Sequence, residues 1–132
     1  MATGMNRQIE PERRRYSRIL TEAIDDEGRY DATKLAKLLD WTQQEIAQYL
    51  DKDPSSISRF SSSLIYQQPL SELAAIFSHL LSLMGDDLRI TRAWLRTPIR
   101  VLDGKSPKEK ILNHDLKTVN SLLDEVESGF SV

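Results

Sequence analysis

Cysteine is absent from this chain of 132 residues, which excludes disulfides, thiol catalysis and cysteine-ligated metal sites. Histidine occurs only at His79 and His114, too few to build a metal cluster without cysteine. No apolar run approaches the roughly 20 residues of a membrane-spanning helix, and the N-terminus lacks the apolar core of a secretory signal. We therefore expect a cytoplasmic protein without metal or cofactor, although either Met1 or Met5 fits as the start.

The chain also lacks a strong excess of either charge, since its formal net charge is −2. Phosphate neutralisation supplies most non-specific affinity for DNA, so a single copy is expected to bind DNA weakly. No paired carboxylates, glycine-rich phosphate loop or Ser/His/Asp arrangement can be read from the sequence, and we expect no enzymatic activity. The length suits one domain, or two small helical lobes that share a core.

The segment Thr42–Phe60 has the pattern of two short helices joined by a tight turn. Apolar residues recur at helical spacing in its first half. Asp53 is then the predicted N-cap and Pro54 the predicted first residue of the second helix. Ile57 and Phe60 are predicted to turn inward, leaving the serines and Arg59 of that helix exposed.

This spacing resembles the Xre-type helix-turn-helix, whose second helix lies in the DNA major groove. Ala47 stands where that family needs a small residue, and Asp51 occupies the turn position where the family usually has glycine. The resemblance implies a DNA-contacting surface on the second helix. The predicted DNA-binding residues are Gln43, Lys52, Ser55, Ser56, Ser58 and Arg59, with Arg13 and Arg14 from an N-terminal arm.

The N-terminal segment is predicted to be a helix from Pro11 to about Asp26, closed by Gly28 as C-cap. Five arginines crowd the stretch from Arg7 to Arg18. One interpretation is an arm that contacts DNA phosphates; the other is a solvated helix face balanced by the acids that follow. Both interpretations remain open at this point.

The most apolar predicted helix runs from Pro69 to Met84, with apolar residues around most of its circumference. Such a helix must be buried on two sides. It is therefore the central core helix, a dimer seam, or both. The predicted dimer-interface residues are Leu73, Ile76, Phe77 and Leu80.

The predicted division of the chain is a basic arm at 1–29, a helix-turn-helix region at 30–68 and a second helical lobe at 69–132.

The last third of the chain carries three short signals in order. Asp86 is the predicted N-cap of a helix that reaches Thr97 before Pro98, with Trp94 facing inward. Asp103 with Gly104 predicts a turn, and a capped helix starts at Ser106 with Pro107. A last helix, 115–127, ends before Gly129.

These signals resemble the toxin-binding domain of the Xre/MbcA/ParS antitoxins, with the resemblance covering roughly Tyr30–Val132. The chain departs from the family pattern at Ile99, at Asp103 and at the two lysines that follow Pro107. The resemblance implies an all-α antitoxin that covers the active site of a RES-type or ParT-like toxin, which consumes NAD or transfers ADP-ribose. It also implies that the complex represses its own operon through the helix-turn-helix. A homodimer is expected because helix-turn-helix proteins usually read two half-sites about one DNA turn apart.

The predicted toxin-binding residues combine a basic stretch, a turn glycine and the C-terminal tail. They are Arg89, Arg92, Arg96, Arg100, Gly104, Gly129, Phe130, Ser131 and Val132. Two other functions fit the sequence. A stand-alone helix-turn-helix regulator would bind DNA without a toxin, and a helical adaptor would bind protein alone, as the weakly basic second helix suggests.

Overall fold

The structure, a computed structural model that describes residues 18–129, is built from helices. Within those residues no strand forms, and extended pairing is limited to two isolated bridges. The all-α prediction is confirmed. The α-helices in chain order are α1 Ala32–Leu39, α2 Gln43–Leu50, α3 Pro54–Arg59, α4 Gln67–Leu83, α5 Leu88–Arg96, α6 Pro107–Leu112 and α7 Leu116–Glu127, and short 3-10 helices lie at Thr21–Ala23, Leu64–Tyr66 and Arg100–Leu102.

Side-chain caps set most of the helix starts. Asp31 caps α1 by accepting the backbone N–H of Lys34, and complete capping boxes open α2 and α6. Asp53 stands at the N-cap of α3, but its side chain makes no capping hydrogen bond. Asp87 caps α5, so the prediction of Asp86 was wrong by one residue; Asp86 lies in the preceding turn with φ +63.

The N-terminal helix ends earlier than predicted, and its predicted start at Pro11 lies outside the described residues. Residues 18–20 are helical, Thr21–Ala23 is a 3-10 helix, and Ile24 is already extended. The Asp25 carboxylate accepts the backbone N–H groups of Glu27 and Arg29, each at 2.9 Å, which forms a turn rather than another helical turn. Gly28, with φ +82, belongs to this turn and is not the helix C-cap.

Helix α4 is the centre of the molecule and packs against α1, α5 and α7. It begins at Gln67, two residues before the predicted start, since Pro69 fits in the first helical turn. No membrane-spanning helix is found among residues 18–129, since none there is long and apolar enough.

The predicted dimer-interface residues lie inside a single copy of the chain. Leu73, Ile76, Phe77 and Leu80 are all fully buried by neighbouring helices. Side chains without accessible surface cannot contact a second copy, so the assignment of these residues to a dimer seam was wrong. The prediction of a helix buried on two sides is confirmed.

One hydrophobic core joins the two halves of the chain. The same cluster of buried residues contains Ile46 of α2, Ile57 of α3, Phe77 of α4 and Leu123 of α7. A smaller cluster of Ile99, Leu102 and Leu122, packed against Trp94, closes the C-terminal end.

Candidate functional site

Helices α2 and α3 meet at a three-residue turn whose first residue, Asp51, has left-handed angles of φ 57 and ψ 44. The N–H of Asp51 donates to Gln48 O at 3.2 Å, and that of Lys52 donates to Ala47 O at 2.9 Å. These bonds satisfy carbonyls that a helix end leaves free. Aspartate tolerates this conformation better than most residues, which explains why the turn forms without glycine.

The short helix α3 is fixed by Ile57, which is fully buried, and it presents Ser55, Ser58 and Arg59 to solvent. Ser56 is half-buried, and Lys52 is exposed in the preceding turn. The residues of α3 that the sequence predicted to be exposed are therefore exposed, apart from the half-buried Ser56.

The structure alters two other predictions, those for the side chains of Gln43 and Phe60. Gln43 Nε2 donates to Thr33 Oγ1 at 2.8 Å, which ties the Gln43 side chain to α1. Phe60, predicted to be buried, is largely exposed because α3 ends at Arg59 and Phe60 leaves the helical path with φ −135 and ψ 48. The guanidinium carbon of Arg59 lies 5.5 Å from the centroid of the Phe60 ring, a cation–π distance.

Several predicted residues lie outside the described part of the chain. They are Arg13 and Arg14 of the proposed arm, and Phe130, Ser131 and Val132 of the C-terminal tail.

Arg92 and Arg96 of the predicted toxin surface, together with Lys108, connect the two halves of the molecule. Arg92 Nε donates to the carbonyl of Leu38 at 2.8 Å, and Arg96 Nη1 lies 3.3 Å from Asp40 Oδ2. Arg92 is thus occupied by the chain itself, which corrects its assignment to a free basic surface. Arg96 keeps about half of its side chain exposed beside Asp40. Sequence could not reveal these pairs, because more than fifty residues separate the partners.

Lys108 is the third base that connects the two halves, and its side chain is less exposed than that of Arg96. Its ammonium group forms an ion pair with Glu45 and lies 5.8 Å from the centroid of the Trp41 ring. Burial raises the pKa of Glu45, but the hydrogen bond from Lys108 and the N–H of Thr42 outweigh it, so the pKa lies below its ordinary value. The Glu45 carboxylate therefore both caps the start of α2 and binds Lys108 of the C-terminal half.

The turn between α6 and α7 touches the turn between α2 and α3. His114 Nε2 lies 3.2 Å from Asp51 Oδ1, and its ring stacks on Tyr49 with centroids 6.2 Å apart. Gln48 Nε2 donates to the carbonyl of Leu112 at 3.5 Å. The position of the helix pair is thus set directly by the C-terminal half.

The exposed side of the C-terminal half contains a cleft of about 280 Å³ between Arg100–Leu102 and α7. Val101 stands at this cleft with 61% of its surface exposed. Gly104, with φ +79, closes the neighbouring turn by donating its N–H to Ile99 O at 3.1 Å. This glycine acts through its backbone angles, because a residue with a Cβ atom is strained there. The remaining residues that line the cleft are Leu102, Lys117, Thr118, Ser121, Leu122 and Glu125.

Of the other predicted partner-binding residues, Arg89 and Arg100 are exposed, and Gly129 ends α7 with φ +99. Between residues 18 and 129, no group of histidines and carboxylates is arranged to hold a metal ion.

Comparison with known proteins gives two results. A chain of the crystal structure of the M. tuberculosis MbcT-MbcA toxin-antitoxin complex superposes with a TM-score of 0.59 at 22% identity, over 76% of this chain and 94% of that chain. This likeness shows a shared fold. No curated protein sequence matches. Residues 73–129 match the family model of the antitoxin Xre/MbcA/ParS C-terminal toxin-binding domain. The resemblance to the Xre/MbcA/ParS antitoxins that Trp94, Pro98 and Gly104 indicated is therefore confirmed by the match over residues 73–129.

Proposed function

We propose that this protein is the antitoxin of a toxin-antitoxin pair and binds its toxin through the C-terminal half. The match of residues 73–129 to a toxin-binding domain carries the proposal. The fold shared with a chain of a toxin-antitoxin complex supports it. From the family resemblance, we propose that the toxin is RES-type or ParT-like, consumes NAD or transfers ADP-ribose, and is neutralised when its active site is covered.

The toxin surface that we propose is the cleft at Val101 with the exposed bases Arg89 and Arg100. Val101 offers exposed apolar area at the cleft, and the burial of apolar surface is the main favourable term in most protein–protein association. The two arginines suit an acidic rim or a site that binds phosphate groups. Arg92 and Lys108 are excluded from this surface because their partners lie within the chain.

The second proposed activity is binding to operator DNA by α3, through which the protein represses its own operon. The pair of helices α2 and α3 carries two exposed bases, Lys52 and Arg59, so each copy offers few phosphate contacts. We accordingly propose that the protein acts as a homodimer, which places two copies of α3 on two half-sites.

Co-expression with the product of the adjacent gene, followed by size-exclusion chromatography and an NAD-depletion assay, tests the toxin proposal. A stable complex with suppressed NAD consumption is the expected result. Val101→Asp should remove the complex while the circular dichroism spectrum stays unchanged. An adjacent gene product that never associates with the wild-type protein would contradict the antitoxin function.

Arg59→Ala is the matched variant for the DNA surface, since Arg59 lies outside residues 73–129. It should keep the toxin complex, weaken operator binding in gel shifts, and reduce the slope of affinity against salt by about one. Wild-type protein that binds no DNA even at low salt would contradict the repressor function and leave toxin binding untouched.

A further inference from the structure

An exposed apolar patch follows α3 and consists of Phe60, Leu64 and Ile65. Their exposed fractions are 59%, 69% and 67%. A single exposed apolar side chain is ordinary, but here three large ones lie within six residues of sequence. Such patches mark sites of interaction with another molecule.

The segment that carries the patch is held in place by hydrogen bonds. Asp31 Oδ2 accepts the hydroxyl groups of Ser61 at 2.9 Å and Ser62 at 3.1 Å. Gln67 Nε2 donates to the carbonyl of Ser63 at 3.1 Å. A surface that is already ordered loses little conformational entropy when a partner binds.

Charges of both signs border the patch. The cleft beside Phe60 is lined by the acids Asp25 and Glu27 and by the bases Arg29 and Arg59. In a two-fold symmetric interface the same surface meets itself, so each acidic group needs a base on the same surface. A rim with two acids and two bases meets that requirement, whereas a rim of one sign would repel its copy.

We propose that the patch of Phe60, Leu64 and Ile65 is the interface between two copies of this chain. The inference rests on the homodimer of the proposed function. It assigns the dimer interface to this patch, because the residues of α4 first predicted for that interface are buried. The patch begins directly after α3, so a two-fold contact there fixes the separation of the two α3 helices. A standard interface buries roughly 800 Å² per partner, with apolar residues at its centre and a polar rim. The patch supplies that centre, and the mixed charges supply the rim.

The test compares Leu64→Ser/Ile65→Ser with the control Ile90→Ser, which removes an exposed apolar side chain of α5. Light scattering coupled to size-exclusion chromatography, over a range of concentrations, gives the dimer dissociation constant. We expect a dimeric wild type, a dissociation constant raised roughly 100-fold or more in the double variant, and no change in the control. All substituted side chains are exposed, so circular dichroism should show unchanged folding.

Three other outcomes would overturn the inference. A double variant that dimerises as tightly as the wild type would place the interface elsewhere and leave the homodimer standing. A wild type that is monomeric at every concentration would remove both the interface and the homodimer, while toxin co-purification remains a separate readout. A double variant that stays dimeric but loses the toxin would assign the patch to the toxin.

Discussion

Helices α4 and α3 differ in how many of their residues are buried. Seven of the seventeen residues of α4 are buried, and these side chains stabilise the core. Ile57 is the buried residue of the six-residue α3, whose other side chains are exposed or half-exposed. A helix that presents most of its surface has few contacts of its own, and its stability depends on its neighbours.

Phe77→Ala should have the largest effect on stability. Removing a fully buried ring from α4 leaves a cavity and should lower the free energy of unfolding by about 4 kcal/mol. Ile90→Ala, which truncates an exposed apolar side chain of α5, is the control, and its effect should stay within about 0.5 kcal/mol. Urea denaturation measures both. Equal losses in the two variants would show that burial does not separate these two side chains.

Ile57→Ala should come next, at about 3 kcal/mol, because it removes the buried contact that fixes α3. Ser58→Ala, on the exposed side of the same helix, should change the free energy of unfolding by less than about 0.5 kcal/mol. Amide hydrogen exchange would add a local measure, with faster exchange in α3 expected for Ile57→Ala. A stable Ile57→Ala variant with protected α3 amides would mean that other contacts hold the helix.

The turn between α2 and α3 is tested by Asp51→Ala and Asp51→Gly. Both variants lose the contact with His114, so their difference isolates the left-handed backbone of residue 51. The alanine variant should be less stable than the glycine variant by about 1 kcal/mol, because a Cβ atom is unfavourable in this conformation. Thermal unfolding of the pair measures the difference, and an alanine variant as stable as the glycine variant would contradict it.

Glu45→Gln should have the smallest effect, and one that depends on pH. The folded pKa of Glu45 lies below its unfolded value, so its contribution is present above that unfolded value, about 4.3, and is lost as pH falls through the folded pKa. Glutamine keeps the capping box but not the ion pair with Lys108. At pH 7 the variant should be less stable by up to about 1 kcal/mol. The difference should shrink as the pH falls below about 4.3 and should vanish below the folded pKa of Glu45. A difference that is constant with pH would contradict the role of the ion pair.

The sequence was most informative where the controlling contacts are local. The capped helix start at Ser106 and the turn at Asp103 with Gly104 depend on residues within a few positions of one another, and the structure confirms them. The prediction that Phe60 turns inward was wrong. It assumed that the helix that contains Ile57 continues through residue 60, whereas α3 ends at Arg59.

Contacts between distant segments could not be predicted in the same way. Arg92 looked like part of a free basic stretch, since nothing near it in sequence indicates the carbonyl of Leu38 as its acceptor. Likewise, the pattern of α4 predicts burial on two sides but cannot say whether this chain or a second copy covers the second side. The structure answers this for Phe77, which helices of the same chain enclose.

The shared core limits how the two halves can be exchanged between related proteins. A chimera joined near residue 68 would separate Ile46 and Ile57 from the buried side chains of α4 and α7. It would also leave Lys108 without the Glu45 side chain as its partner. An exchange limited to the exposed residues of α3 would instead keep α1, α2 and the contacts between the helices.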